Sequence, residues 1–225
     1  MKETDILTKN ILHTKWLEHK NDGVRADFGG MYLKGEKFNI WANTNFKKAF
    51  FVQSNLESAD FRGVNLKGAY FTRSNLSGAE FRGANLQDAD FEGASLFGAN
   101  LSDANLKDIK VNLCTIGYFL ACPSEGAFTA FKKAGGYIVV LEVPADARRS
   151  SATTYKCRCD KAKVLRIENL DGTPTDVTSV ASRYDCDFVY TVGETVSVEN
   201  FDENRWNECS TGIHFFIDRE LAVLY

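Results

Sequence analysis

The sequence predicts a mainly-β protein: a coiled β-solenoid over residues 24–111, preceded by an amphipathic capping helix within 1–23 and followed by a small α+β domain over 112–225. Three features carry the prediction. Bulky apolar side chains recur every five residues, small ones sit two residues before them, and the composition changes abruptly near residue 112.

The five-residue beat runs from Trp41 through Phe46, Phe51, Leu56, Phe61, Leu66, Phe71, Leu76, Phe81, Leu86, Phe91, Leu96, Leu101 and Leu106 to Val111. Ala59, Ala69, Ala79, Ala84, Ala89, Ala94, Ala99 and Ala104 occupy the small position, with Ser54, Val64 and Ser74 as variants. Asn, Asp, Gly, Lys and Arg fill the remaining positions and suit turns with a solvated outside. A period of five matches neither the 3.6 of a helix nor the 2 of a long strand, so the chain must turn a corner at each beat. Phe28, Leu33 and Phe38 keep an earlier phase, offset from Trp41 by three residues, which predicts an irregular first turn.

A solenoid exposes strand edges at its ends and needs caps. Leu7, Ile11, Leu12, Trp16 and Leu17 at helical spacing between Asp5 and Lys20 predict a lid, with Asn21-Asp22-Gly23 as its stop and His13 and His19 as solvated side chains.

This pattern resembles the pentapeptide-repeat family, whose motif is Ala-(Asp/Asn)-Leu-x-x. The likeness is closest in residues 77–108, SGAEFRGANLQDADFEGASLFGANLSDANLKD. It implies a right-handed quadrilateral β-helix with four repeats per turn, so that Phe51, Phe71 and Phe91 stack, as do Phe61 and Phe81, with Leu columns between them. The best-known members mimic DNA and bind type II topoisomerases such as gyrase, which needs a strongly acidic rod. Residues 41–110 carry eight bases and eight acids, and this balance argues against that alternative.

After Val111 come all six cysteines and all three prolines. Ser124 is placed to cap a helix over Glu125–Ala134 closed by Gly135-Gly136. Strand-like runs follow at 137–143, 163–168, 188–198 and 213–217, with a last helix over 219–224 capped by Asp218. This block, including ACPSEGAF, RRSSATTYKCRCDKAKVL and VGETVSVENFDENRWNECSTGIHFF, resembles an uncharacterised domain that follows pentapeptide repeats in phage and bacterial proteins.

Two clusters are candidate ligand-binding residues. Arg148, Arg149 and Lys156 flank a hydroxyl-rich loop containing Ser150 and Ser151, a composition suited to an anion. Arg205, Trp206, Cys209 and His214 lie in the segment densest in unusual residues. Cys157, Cys159, Cys186, Cys209 and His214 are zinc-ligand types, but their spacing matches no zinc motif, so neither a metal nor a cofactor is expected. Cys209-Ser-Thr-Gly-Ile-His214 is similar to a signature of phage proteins of the rapid-lysis B type, a likeness too short to transfer an activity. Gly212-Ile-His214-Phe-Phe, with Ala222 and Tyr225, is similar to part of the ADP-ribosyltransferase core, whose catalytic Glu on a later strand has no counterpart before Tyr225. No catalytic residue is assigned.

The net charge of −3 points to neither nucleic acid nor membrane, and the longest apolar runs are strand-sized. The polar start, Met1-Lys2-Glu3-Thr4-Asp5, leads into no signal-type apolar core, so a cytosolic protein is expected. The expected function is non-catalytic: a rigid coil carrying a domain that binds a protein or a small anionic ligand, with oligomeric state open.

Overall fold

The computed structural model describes residues 3–225, so residues 1 and 2 of the expected N-terminal segment lie outside the described ones. The chain divides into two compact units, Met1–Phe119 and Leu120–Tyr225.

The first unit begins with helix α1, Glu3–Leu17. It ends earlier than Asn21-Asp22-Gly23. His19 takes a left-handed conformation (φ 57°), while the N–H of Lys20 bonds to Lys15 O at 3.0 Å and that of His19 to Trp16 O at 3.0 Å, the Schellman pattern that closes a helix. The buried face is also rotated from the expected one, because Ile6, Asn10 and His13 are buried while Ile11 is exposed. His13 is therefore not a solvated side chain: its Nε2 lies 2.9 Å from Lys47 O, and its Nδ1 accepts from Ala26 N at 3.0 Å. Burial holds its pKa below the ordinary histidine value.

The coil follows from its hydrogen bonds. From Asn45 to Lys110, parallel bridges join residues twenty apart, as at Asn45↔Asn65, Phe50↔Tyr70 and Asp90↔Lys110. Turns between steps close with bonds such as Val64 N to Phe61 O at 3.1 Å. The third residue of such a turn has positive φ, which explains Gly63 (69°) there. Asn side chains secure the same corners, as when Asn65 Oδ1 accepts from Lys67 N at 3.2 Å.

Inside, the rings stack in two columns. Phe28, Phe51, Phe71 and Phe91 have successive centroid separations of 4.9, 4.8 and 5.0 Å, and Phe38, Phe61 and Phe81 have 4.4 and 5.1 Å. The columns meet edge-to-face, as between Phe51 and Phe61 at 5.6 Å. Each ring removed from water contributes about 1.5–3 kcal/mol.

Trp41 departs from the expected frame. It is 56% exposed, and the inward positions of the first turn are Phe28, Leu33, Phe38 and then Phe46. Bridges in this turn join residues twenty-three apart, such as Lys37↔Asp60, so three extra residues are accommodated between Phe38 and Phe46 and Trp41 is pushed outward. At the other end the ladder continues past residue 111 to Ser95↔Ile116, where the buried Thr115 takes the small position and donates to Phe91 O at 3.0 Å.

The second unit contains β1 (Phe128–Ala134), β2 (Tyr137–Val143), β3 (Arg149–Ser151), β4 (Cys157–Cys159), β5 (Lys161–Asn169), β6 (Ser179–Ala181), β7 (Val189–Thr191), β8 (Thr195–Ser197), β9 (Ile213–Phe215) and helix α2 (Arg219–Leu224). The expected helix over Glu125–Ala134 is instead strand β1, antiparallel to β2 with Ala134 opposite Tyr137. Gly135 and Gly136, both at positive φ (56° and 88°), form a two-residue hairpin turn rather than a helix stop. Pairing with β2 and burial of Ala130 and Ala134 in the core on one face of the sheet outweigh the helix propensity of the segment.

The main sheet has order β1-β2-β5-β8, beside a three-stranded sheet β3-β4-β9 and the pair β6-β7. One core face gathers Val139, Leu141, Val143, Cys157, Cys159, Val164, Tyr190 and Phe215. Ile138, Val140, Phe216 and Ala222 form a second cluster under α2. Asp218 caps α2, its Oδ1 accepting from Leu221 N at 3.1 Å.

Candidate functional site

Most of the basic side chains after residue 147 are occupied by the domain itself. The Arg149 guanidinium donates to five carbonyls, of which Gly126 O and Pro144 O at 2.7 Å are the nearest. Arg148 pairs with Asp160 at 2.9 Å and Glu203 at 3.2 Å. Ser151 Oγ accepts from Ala121 N at 2.8 Å, and Ser150 is buried with an Oγ that has no hydrogen-bond partner among the described residues. Lys156 makes its own contacts, with Cys209 and Tyr225.

Two arginines fix the loop that carries the second cluster. Arg158, only 2% exposed, donates to the carbonyls of Asp202, Thr211 (3.1 Å) and Asn204 (2.7 Å). Arg205 donates to Ser151 O at 3.0 Å and Ala152 O at 3.2 Å, with its guanidinium 4.4 Å from the Trp206 ring centroid. Gly212 allows the close approach, since a Cβ there would lie 3.1 Å from Arg158 Cβ.

The structure does bring Lys156, Cys209 and His214 together. Lys156 Nζ is 3.3 Å from Cys209 Sγ, 3.3 Å from the Tyr225 hydroxyl and 3.8 Å from Glu208 Oε2. Burial opposes the Lys156 charge, but the thiol, the phenol and Glu208 outweigh it and hold its pKa above the ordinary value. His214 Nε2 lies 3.2 Å from Glu208 O. A carbonyl only accepts, so this nitrogen carries the proton. Burial, then the charges of Lys156 and Lys132, push the His214 pKa down to about 4.

Beside this cluster lies a cavity of about 500 Å³. The end of β1 and its turn (Lys132–Gly136), residues 180–184, His214, Phe216 and Tyr225 line it. Its walls are cationic and aromatic: Lys132, Lys133 and Arg183 with Tyr184, Phe216 and Tyr225, and no carboxylate side chain among them. Lys133 donates to Val223 O at 2.8 Å. Lys132 Nζ has no hydrogen bond or ion pair among the described residues and stands 5.8 Å from the Tyr190 ring centroid. Burial pushes its pKa down to about 8; Cys159 acts in the opposite sense and Lys156 in the same one.

Lys132, Lys133 and Arg183 were not among the sequence candidates. Their signal becomes legible only once 128–134 is read as a strand, because alternation then puts Lys132 on the core side with Ala130 and Ala134. Among the described residues no three His, Cys, Asp or Glu side chains gather as a metal site requires. Among the described residues no helix is long and apolar enough to cross a membrane.

Comparison with known proteins separates the same two parts. Residues 44–119 match a pentapeptide repeat region and residues 118–222 a family of unknown function, DUF5758. Among solved structures, HetL from the cyanobacterium Nostoc sp. strain PCC 7120, a pentapeptide repeat protein involved in regulation of heterocyst differentiation, is 29% identical over 37% of this chain and 38% of its own, with a TM-score of 0.34. This chain thus spans well under half of HetL. The pentapeptide repeat protein alr5209 from Nostoc PCC 7120 is 22% identical over 45% of this chain and 93% of its own, with a TM-score of 0.30. Full-length QnrB1, a plasmid-mediated fluoroquinolone resistance protein, is 21% identical over 38% and 56%, with a TM-score of 0.19. No curated protein matches. The chain accordingly carries a pentapeptide repeat region followed by an uncharacterised domain of the DUF5758 family.

Proposed function

We propose that this is a non-catalytic binding protein whose second domain takes a small anion with an aromatic or apolar body into the cavity beside β1. The coil is the rigid element that carries this domain, a right-handed square β-helix closed at its N-terminal end by α1. A protein partner belongs to the same reading of the coil.

One observation supports the anion above others: Lys132 presents a desolvated ammonium with no counter-ion to a cavity whose other charged walls are also cationic. A buried charge without a partner is costly, and an anion in the cavity supplies the missing partner. Tyr184, Phe216 and Tyr225 offer flat apolar contact to the remainder of such a ligand.

Pyridoxine 5′-phosphate, an aromatic ring bearing a phosphate monoester, is a suitable probe. Calorimetric titration of the full chain should show saturable binding that weakens with added salt. Arg183→Ala should weaken it by about tenfold, as expected for loss of a charge-assisted contact. Absence of binding at millimolar probe, or affinity in both Arg183→Ala and Lys132→Met unchanged from that of the unaltered chain, would refute the assignment.

A further inference from the structure

Resting on that anion reading, we infer that Lys132 is a carbonyl-capturing amine, which forms an imine with an aldehyde or ketone held in the cavity by its anionic group. The argument begins with what distinguishes this lysine from its neighbours. Lys133 is tied to Val223 O, and Lys156 is tied to the Cys209 thiol, the Tyr225 hydroxyl and Glu208. Lys156 is thereby held as an ammonium group. Among the described residues Lys132 has neither carbonyl nor carboxylate to donate to.

Burial and the positive charge of Lys156 favour the neutral amine and outweigh Cys159 from β4, which acts in the opposite sense. The Tyr190 ring from β7, 5.8 Å away, also favours the cation, and Arg183 stands on the wall of the same cavity. An amine with a pKa of about 8 is deprotonated in useful amount near neutral pH, whereas an ordinary lysine at 10.5 is not. Desolvated lysines near other cations are the usual source of such nucleophiles.

The chemistry balances without an oxidant or reductant. The Lys132 Nζ lone pair adds to the carbonyl carbon, and the carbonyl π pair moves to oxygen, which takes up a proton to give a carbinolamine. Nitrogen then releases a proton, the hydroxyl leaves as water, and a C=N bond remains. His214 lines the same cavity, and because its Nε2 proton is directed to Glu208 O, its free Nδ1 is the acceptor that relays the proton from nitrogen to the departing hydroxyl. Lys133 and Arg183 hold the anionic group, so the carbonyl is delivered to Lys132 rather than to a surface lysine.

Two matched probes test the inference. Pyridoxal 5′-phosphate and pyridoxine 5′-phosphate have the same ring and phosphate, and only the first has an aldehyde. The full chain is incubated with the aldehyde near neutral pH, reduced with borohydride and mapped by mass spectrometry. The expected result is one adduct per chain, on Lys132, forming faster than on exposed lysines by up to roughly three hundredfold, the ratio of free amine near neutral pH for pKa values of about 8 and 10.5. Lys132→Arg, which cannot form an imine, should lose that adduct, with its melting curve recorded to establish that it is folded. Binding of pyridoxine 5′-phosphate without a Lys132 adduct from the aldehyde overturns the imine and leaves the anion site standing. Adducts spread evenly over surface lysines, or an unchanged yield in folded Lys132→Arg, also overturn it. Failure of both probes overturns both readings.

Discussion

Phe81 is the most exacting place to test the packing of the coil. The ring is fully buried, stacked 5.1 Å from Phe61 and edge-on to Phe71 and Phe91 at 5.9 and 6.2 Å. Phe81→Ala removes its transfer free energy and leaves a void. The surrounding backbone cannot close that void, because the strand is held from both sides by Phe81 N to Asn100 O at 2.8 Å and Glu80 N to Ala59 O at 2.9 Å. Phe→Ala in a core costs about 3–5 kcal/mol, and lack of relaxation puts this site at about 4. For a unit of this size that loss lowers Tm by roughly 12–20 °C. Tyr32→Ala, at a side chain 70% exposed, serves as the reference and should stay within about 0.5 kcal/mol. Urea and thermal unfolding followed by far-ultraviolet circular dichroism measure both variants. A loss below about 1 kcal/mol for Phe81→Ala would show that the columns do not pack as described. Phe81→Asp, which buries a carboxylate, should abolish cooperative unfolding of the coil.

Two further outcomes concern the second domain. Because the folded pKa of Lys132 lies below its unfolded value, the unfolded chain binds the extra proton between about pH 8 and 10.5, so stability is lowest below pH 8 and rises through that window. The gain amounts to about 3 kcal/mol, read from urea midpoints at the two ends, and Lys132→Met should remove it; a rise that persists in Lys132→Met would assign it to another group. Arg158→Met takes the donors away from Asp202 O, Thr211 O and Asn204 O and should release the segment 200–212 to proteolysis, at a cost of roughly 2–4 kcal/mol. An unchanged digestion pattern would mean that other contacts hold the loop.

The coil was readable from the sequence because its interior repeats at fixed spacing, so each inward Phe or Leu announces itself without tertiary information. Trp41 misled for the same reason: it lies five residues before Phe46, and although the three-residue offset from Phe38 announced an irregular turn, nothing local shows on which side of Trp41 the surplus falls. Residues 125–134 read as helical because Glu, Ala and Lys favour helices and Gly-Gly stops them. Pairing with β2, a long-range fact, decided otherwise. Within the site, Lys156, Cys209 and His214 were named from a dense segment and a basic stretch; Lys156 touches Cys209, and both Lys156 and His214 reach Glu208. Arg149 and Arg205 looked like ligand contacts because sequence shows charge and not the carbonyls that occupy it. The cavity itself was not legible, since its walls come from segments separated by more than thirty residues, as with Gly136, Val180 and His214.

The enlarged first turn shows how the coil keeps its register. Although the chain is three residues longer there, Phe28 still rests on Phe51 and Phe38 on Phe61, so surplus chain at a corner leaves the rings aligned. What the architecture conserves is thus the vertical succession of side chains, not the spacing along the chain. Excision of one whole circuit, twenty residues, would join like to like, whereas removal of a single five-residue step would set Leu beneath Phe through every circuit above the cut. The bend at Trp41 is, by the same reasoning, the position at which a foreign loop could be grafted with least disturbance.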